Sequence, residues 1–197
     1  MAASRSDEFS RVPGASLGEE AGVGRVGAAG SRERERAWVR GAQAGSVSHL
    51  EALFRAYWPG AHRAAYLVVQ DAAAAEDIAQ EAFLAAVRAL DRFDRRRPFG
   101  PWLHRIVVNR AIDWARARRL RAEAELPGRL SAPERSTDGE QGLEEALSLL
   151  SPEHRAVIVL RYLLEYTPGE IAELLELPRG TVNSRLRRGL DGLKEQL

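Results

Sequence analysis

Apolar residues recur along this chain at three- and four-residue intervals, and no stretch alternates with period two. The 72–92 stretch is the clearest. Ile78, Ala82, Phe83, Val87 and Leu90 fall on one side of a helix, while Asp77, Gln80, Glu81, Leu84 and Arg88 fall elsewhere. The same spacing predicts a helix from near residue 34 that breaks at "GAQAGS", then helices over 46–58, 60–70, 72–92 and 101–121. Pro101 stands at a favoured first helical position, and Leu103, Ile106, Val107 and Trp114 form the inner side of that helix. Further helices are predicted over 143–150, 152–164, 168–176 and 179–195. Ser151 before Pro152 reads as an N-cap, and Thr167-Pro168-Gly169-Glu170 has the form of a capping box. β-branched residues are sparse, so the expected fold is all-α.

The segments without periodicity divide the chain. Residues 1–33 are rich in Ala, Gly, Ser and charge and are expected to be a disordered extension. Residues 122–142 carry acids, Pro, Gly and Ser and read as a linker between helical domains at 34–121 and 143–197. The net charge is only +1, but it is unevenly spread. Residues 92–121 hold ten Arg against Asp94 and Asp113, whereas 122–150 hold seven acids against two Arg. The chain lacks Cys, which excludes disulfides and thiol chemistry and fits a reducing cytoplasm. No apolar run reaches the roughly 20 residues needed to span a bilayer, and the polar N-terminus lacks a signal-peptide core. A cytoplasmic protein without membrane insertion is expected. His49, His62, His104 and His154 are scattered, and no metal or cofactor site is expected.

The stretch "TPGEIAELLELPRGTVNSRLRRGL" has the layout of a helix-turn-helix. Val182, Leu186, Leu190 and Leu193 form an inner stripe. Arg179, Thr181, Asn183, Ser184, Arg187 and Arg188 lie on the outer side or its flank, and these residue types suit phosphates and base edges. A solvated helix face is the plainer alternative. The layout alone does not separate a repressor, a response-regulator output domain and a polymerase subunit.

"AEDIAQEAFLAAVRALDRFD" followed by "RPFGPWLHRIVVNRAIDWARARR" resembles region 2 of extracytoplasmic-function (ECF) sigma factors, which are bacterial transcription initiation factors. "LSPEHRAVIVLRYLLEYTPGEIAELLELPRGTVNSRLRRGLDGL" resembles their region 4. The resemblance covers 36–121 and 143–197 and implies two small helical domains, a region 2 bundle and a region 4 helix-turn-helix. It implies a subunit without its own catalytic site that binds core RNA polymerase, through the clamp helices of the largest subunit and the flap. It further implies direction to promoter DNA, help in melting it, and control in trans by an anti-sigma factor.

By the same resemblance, Asp77, Gln80, Glu81 and Leu84 correspond to the polymerase-binding surface. On the residues alone, the alternative is that Glu76, Asp77 and Glu81 merely complement the N-terminal dipole of their helix. Arg96, Arg97, Phe99, Trp102, Arg105, Asn109, Arg110 and Arg116 correspond to the reader of the −10 element. Asn109 would hold an unstacked base, Phe99 and Trp102 would stack, and Arg95, Arg118 and Arg119 would add to the phosphate contacts. Trp114, and Trp102 with even weight, also read as core; Arg116 beside Asp113 also reads as a helix ion pair. The residues of the helix-turn-helix named above, Arg179 through Arg188, would read the −35 element. Two positions depart from the family pattern: Glu176, where Gly is frequent, and Asn183, where Lys or Arg is. Glu176 then has either a negative φ or some strain.

Two rivals remain at this level. A stand-alone regulator of the response-regulator type needs only the C-terminal half and leaves 70–121 unexplained. A nucleic-acid enzyme lacks any catalytic spacing of carboxylates, His or Cys.

Overall fold

In the computed structural model the described residues are 23–125 and 139–195. They form α1 (Val23–Gln43), α2 (Val47–Val69), α3 (Ala72–Ala89), a 3-10 turn (Leu90–Arg92), α4 (Phe99–Glu125), α5 (Gly139–Ser148), α6 (Pro152–Tyr162), α7 (Pro168–Leu175) and α8 (Arg179–Lys194). No strand occurs among the described residues, as the periodicity required. Residues 1–22 and 126–138, most of the expected extension and linker, lie outside the described residues.

Three boundaries differ from the sequence reading. α1 starts at Val23, ahead of the expected start near residue 34, and Val39 is buried toward its C-terminal end. The helices expected over 46–58 and 60–70 are one helix, α2, with Pro59 inside it. An interior proline removes a backbone hydrogen bond and costs about 3 kcal/mol. The buried run Ala61, Ala64, Ala65, Leu67, Val68 and Val69, added to Leu53, offsets that cost by keeping both halves of α2 on one core. α4 begins at Phe99, so Pro101 sits third, still within the first turn, where no N–H has an intrahelical partner.

α2 is the central element, packed by α1, α3 and α4. α3 faces it with Ala75, Ile78, Ala79, Ala82, Phe83 and Ala86. The four alanines among them let the two helices approach closely. Val87, expected on the inner stripe, is exposed. At helical spacing it stands one position past Ala86, which takes the buried place. α4 contributes Leu103, Val107, Val108, Ala111 and Ile112. Ile106 and Trp114 are half-buried at its edge, so the expected inner side is rotated slightly.

α6 organises the second half. Its Val157, Val159 and Leu160 are buried, as are Ile171 of α7 and Val182, Leu186 and Leu193 of α8; Leu190 is half-buried. α6 also packs across α2 and α4, and α7 packs on α4. The apolar core therefore runs without a break from the first set of helices into the second.

Candidate polymerase and promoter interfaces

Local chemistry sets the helix-turn-helix. Ser151 caps α6 by accepting from the His154 N–H at 3.4 Å. Thr167 and Glu170 complete the expected capping box: the Glu170 N–H donates to the Thr167 hydroxyl at 3.3 Å, and the Thr167 N–H donates to the Glu170 carboxylate at 2.8 Å. The Thr167 hydroxyl and backbone bonds hold the Glu170 carboxyl below its usual range. α7 ends at Glu176, which is left-handed with φ 53° and ψ 44°. Of the two expectations for that residue, positive φ is the one realised. The Pro178 carbonyl then accepts from Thr181 and Val182 and opens α8.

With Val182, Leu186, Gly189 and Leu193 turned inward, α8 leaves Arg179, Asn183, Arg187 and Arg188 exposed and Thr181 and Ser184 partly so. The Ser184 hydroxyl donates to the Thr181 carbonyl at 2.9 Å. Arg179, Arg187 and Arg188 have no carboxylate partner among the described residues.

On α3, Asp77, Gln80, Glu81 and Leu84 are all exposed on one side. Gln80 donates to Glu76 at 3.0 Å. Leu84 and Val87 continue into an apolar groove with Val47, Leu50 and Phe54 of α2. Glu81 is not unengaged, since Arg110 of α4 holds it at 2.7 Å. No acid stands in the first turn of α3, so Glu76, Asp77 and Glu81 lie beyond the reach of its N-terminal dipole, and none of them caps the helix. Asp71 does that, accepting from the Ala74 N–H at 3.0 Å.

The segment between the 3-10 turn and α4 is an exposed basic loop. Asp94 folds it locally: its carboxylate accepts from the Arg96 backbone N–H at 3.0 Å and pairs with the Arg96 guanidinium at 3.0 Å. The Arg96 hydrogen bonds hold the Asp94 carboxyl below its usual range. Phe99 is buried rather than available for stacking, because it packs on Tyr57 with centroids 5.3 Å apart. Trp102 is half-buried, 4.5 Å from Phe93 and 5.6 Å from Phe99. Asn109 is partly exposed on α4. Trp114 packs on the core, with the Arg118 guanidinium over its ring at 5.2 Å.

Several candidate arginines already have partners, some of them far away in sequence. Arg105 pairs with Glu176 of the turn before α8 at 2.5 Å, and Arg116 with Glu153 of α6 at 2.5 Å. Asp113, the partner expected for Arg116, stands at 3.9 Å. Arg118 pairs with Asp71 at 2.8 Å.

Periodicity gave no sign of what joins the two halves. Arg155 of α6 is buried and donates to the Val68 carbonyl at the end of α2 (2.7 Å), to Ser148 (3.3 Å) and to Leu150 (3.0 Å). Burial pulls its pKa down to about 10, so it stays charged at neutral pH. His104 of α4 is buried against Tyr166, Nδ1 to hydroxyl 2.8 Å, and burial pushes its pKa down to about 4. Arg63 and Tyr66 of α2 both bind Glu144 of α5, at 3.1 and 2.8 Å. An Arg amid an apolar run, as in "HRAVIVL", is the only local hint that Arg155 has buried partners. Among the described residues no cluster of His and carboxylates could hold a metal. None of their helices is long and apolar enough to cross a membrane.

Several known proteins are similar to this chain in sequence and in fold. The family model "Sigma-70 region 2" matches residues 53–121, and "Sigma-70, region 4" matches 140–191. The ECF RNA polymerase sigma factor SigW of Bacillus subtilis (strain 168) is 37% identical over 142 residues, covering 62% of this chain and 75% of that protein. The ECF RNA polymerase sigma factor SigL of Mycobacterium tuberculosis (strain ATCC 25618 / H37Rv) is 34% identical over 164 residues, covering 79% and 93%. The solved structure of CnrH in complex with the cytosolic domain of CnrY has a TM-score of 0.63 at 27% identity, covering 82% of this chain and 96% of that one. RpoE of Bartonella quintana, solved with the anti-sigma factor NepR, shares the fold at TM-score 0.63 and 21% identity, covering 76% and 97%.

Proposed function

The chain belongs to the ECF RNA polymerase sigma factors, and on that premise we propose how its surfaces divide the work. It binds core RNA polymerase, directs it to promoters with −10 and −35 elements, and promotes their melting. The polymerase does the chemistry, in the cytoplasm, and this subunit supplies none.

The exposed α3 side with Asp77, Gln80, Glu81 and Leu84 docks on the clamp helices. Its carboxylates orient the encounter with a basic partner, and Leu84 with the neighbouring groove supplies apolar contact. The outer side of α8 reads the −35 duplex. The loop with Arg96 and Arg97, and the side of α4 that carries Arg105, Asn109, Arg110 and Arg116, capture the −10 element as it opens. Melting is driven by holding unpaired bases. Phe99 supports this loop from within, and Trp102 offers its exposed edge. In the closed arrangement Arg105 and Arg116 are paired with Glu176 and Glu153, so promoter capture exchanges these carboxylates for phosphates. An anti-sigma factor controls the subunit in trans.

The observation that carries this reading is the outer side of α8, where Arg179, Arg187 and Arg188 stand exposed on a helix whose other side is buried. Run-off transcription with core polymerase on a genomic promoter library tests it. Defined transcripts are expected from promoters that share a −35 sequence. Arg187→Ala and Arg188→Ala should each lower the salt slope of promoter binding by about 1. DNA binding without any promoter-specific transcript in the presence of core would refute the reading.

A further inference from the structure

The residue before α4 is Pro98, which has neither an N–H nor a side-chain oxygen. It cannot cap the helix that follows, and a helix start leaves backbone donors to be satisfied. The cap comes instead from α1. The Glu35 carboxylate accepts from the Phe99 backbone N–H at 2.8 Å. Its other oxygen accepts from the Tyr57 hydroxyl. Burial first, and then the Glu35 hydrogen bond, raise the Tyr57 pKa, so the phenol remains a donor at neutral pH. The ring of Tyr57 also lies close against the α4 backbone. A Cβ added at Gly100 would come within 2.8 Å of Tyr57 Cε1.

The same α1 holds the other end of the basic loop. Gln43 Nε2 donates to the Leu90 carbonyl at 2.8 Å and to the Phe93 carbonyl at 3.0 Å. These are the first residue of the 3-10 turn and the residue just after it. Eight residues separate Glu35 from Gln43, about 12 Å along a helix and close to the same side. One rigid element therefore binds the chain immediately before Asp94 and immediately after Pro98. Only the five residues Asp94–Pro98, with their three arginines, are left between the two anchors. The region 2 match begins at residue 53 and does not include α1.

We infer that α1 is the fixture that presents the Asp94–Pro98 loop to melted DNA, with Glu35 and Gln43 as its positioning residues. This rests on the reading that the loop engages the −10 element. Neither residue touches DNA. Each fixes one end of the loop, so that Arg95, Arg96 and Arg97 meet the displaced strand without first having to order the backbone.

The test uses the full chain with core polymerase on a promoter that carries a fluorescent base in the −10 element. Glu35→Ala, Gln43→Ala and Gln43→Glu are compared with the loop variants Arg96→Ala and Arg97→Ala. Gln43→Glu keeps the side-chain size but sets a carboxylate against two carbonyls. Core affinity and binding to the −35 duplex are measured alongside. Glu35→Ala and Gln43→Glu are expected to slow opening about tenfold, and Gln43→Ala somewhat less. Core and −35 binding should stay within about twofold, since those contacts do not pass through the loop. Glu35→Gln, which keeps one acceptor, should recover part of the loss. Normal opening by the α1 variants, with the Arg96 or Arg97 variants impaired, overturns the inference and leaves the −10 reading standing. Normal opening by the loop variants as well overturns both. An equal fall in opening, core binding and −35 binding assigns α1 to folding only and also overturns it.

Discussion

Glu176 closes α7 in the left-handed region and at the same time holds Arg105 across the molecule. A side chain with a Cβ is strained there by about 1 kcal/mol relative to glycine. The ion pair returns little, because both partners are substantially exposed. The two contributions can be separated. Glu176→Gln removes the charge and keeps the backbone cost, whereas Glu176→Gly removes both. In urea unfolding the Gly variant is expected to exceed the Gln variant by about 0.5–1 kcal/mol. A Gln variant as stable as the Gly variant would mean that the turn bears no strain. The sequence resemblance singles out Glu176, but its φ depends on the chain path between α7 and α8. Asn183 stays exposed on α8, where base or phosphate contact is open to it.

At the scale of single elements, most of the architecture was legible in the residues. Capping is decided within one turn, and both predicted caps, at Ser151 and Thr167, are present. Thr167→Ala should cost about 1 kcal/mol of stability, read from the urea midpoint. It should also weaken −35 duplex binding, because α7 sets the seat of α8. Unchanged stability would show that the capping box contributes nothing here. Where the reading of elements missed, packing overrode a local signal. Pro59 marks a break, yet α2 continues through it because the residues on both sides are held by α1, α3 and α4. Val87 has the right spacing for the inner stripe and is displaced from it by the smaller Ala86, which the close approach of α2 favours.

At the scale of the molecule, the two sets of helices close on each other through Arg155, the Glu144 contacts, the Arg105 and Arg116 pairs and the contact of His104 with Tyr166. His104 makes this closure pH-dependent. Burial lowers its folded pKa to about 4, so between the ordinary value of 6.5 and 4 the unfolded chain binds the extra proton. Stability is therefore complete above pH 6.5 and falls as the pH drops through that window. Thermal or urea unfolding should lose about 2 kcal/mol between pH 7 and pH 5. His154, whose pKa is lowered by burial and by Arg185 and Arg188, adds to the loss with the same sign. The carboxyls of Asp71, Asp94, Glu153 and Glu170, all held below their ordinary values of 3.8 and 4.5, act with the same sign, but their contribution is lost mainly below pH 5. His104→Gln should flatten most of the slope, and a slope unchanged in that variant would remove His104 from the closure.

Helices, caps, apolar stripes and the order of the region 2 and region 4 motifs depend on residues within a few turns of each other, and all were readable along the chain. The family and the function followed from those motifs. Which arginines are occupied was not readable. Glu153 lies 37 residues from Arg116, and Val68 lies 87 from Arg155. The choice of partner among ten closely spaced arginines is made by the packing of α6 and α7 across α2 and α4. Likewise, nothing near Pro98 names Glu35 as the cap of α4, because a carboxylate 64 residues away supplies what the local chain lacks. Hydrogen bonds and ion pairs need groups within about 3–4 Å. For partners this distant in the chain, only the tertiary fold brings them that close.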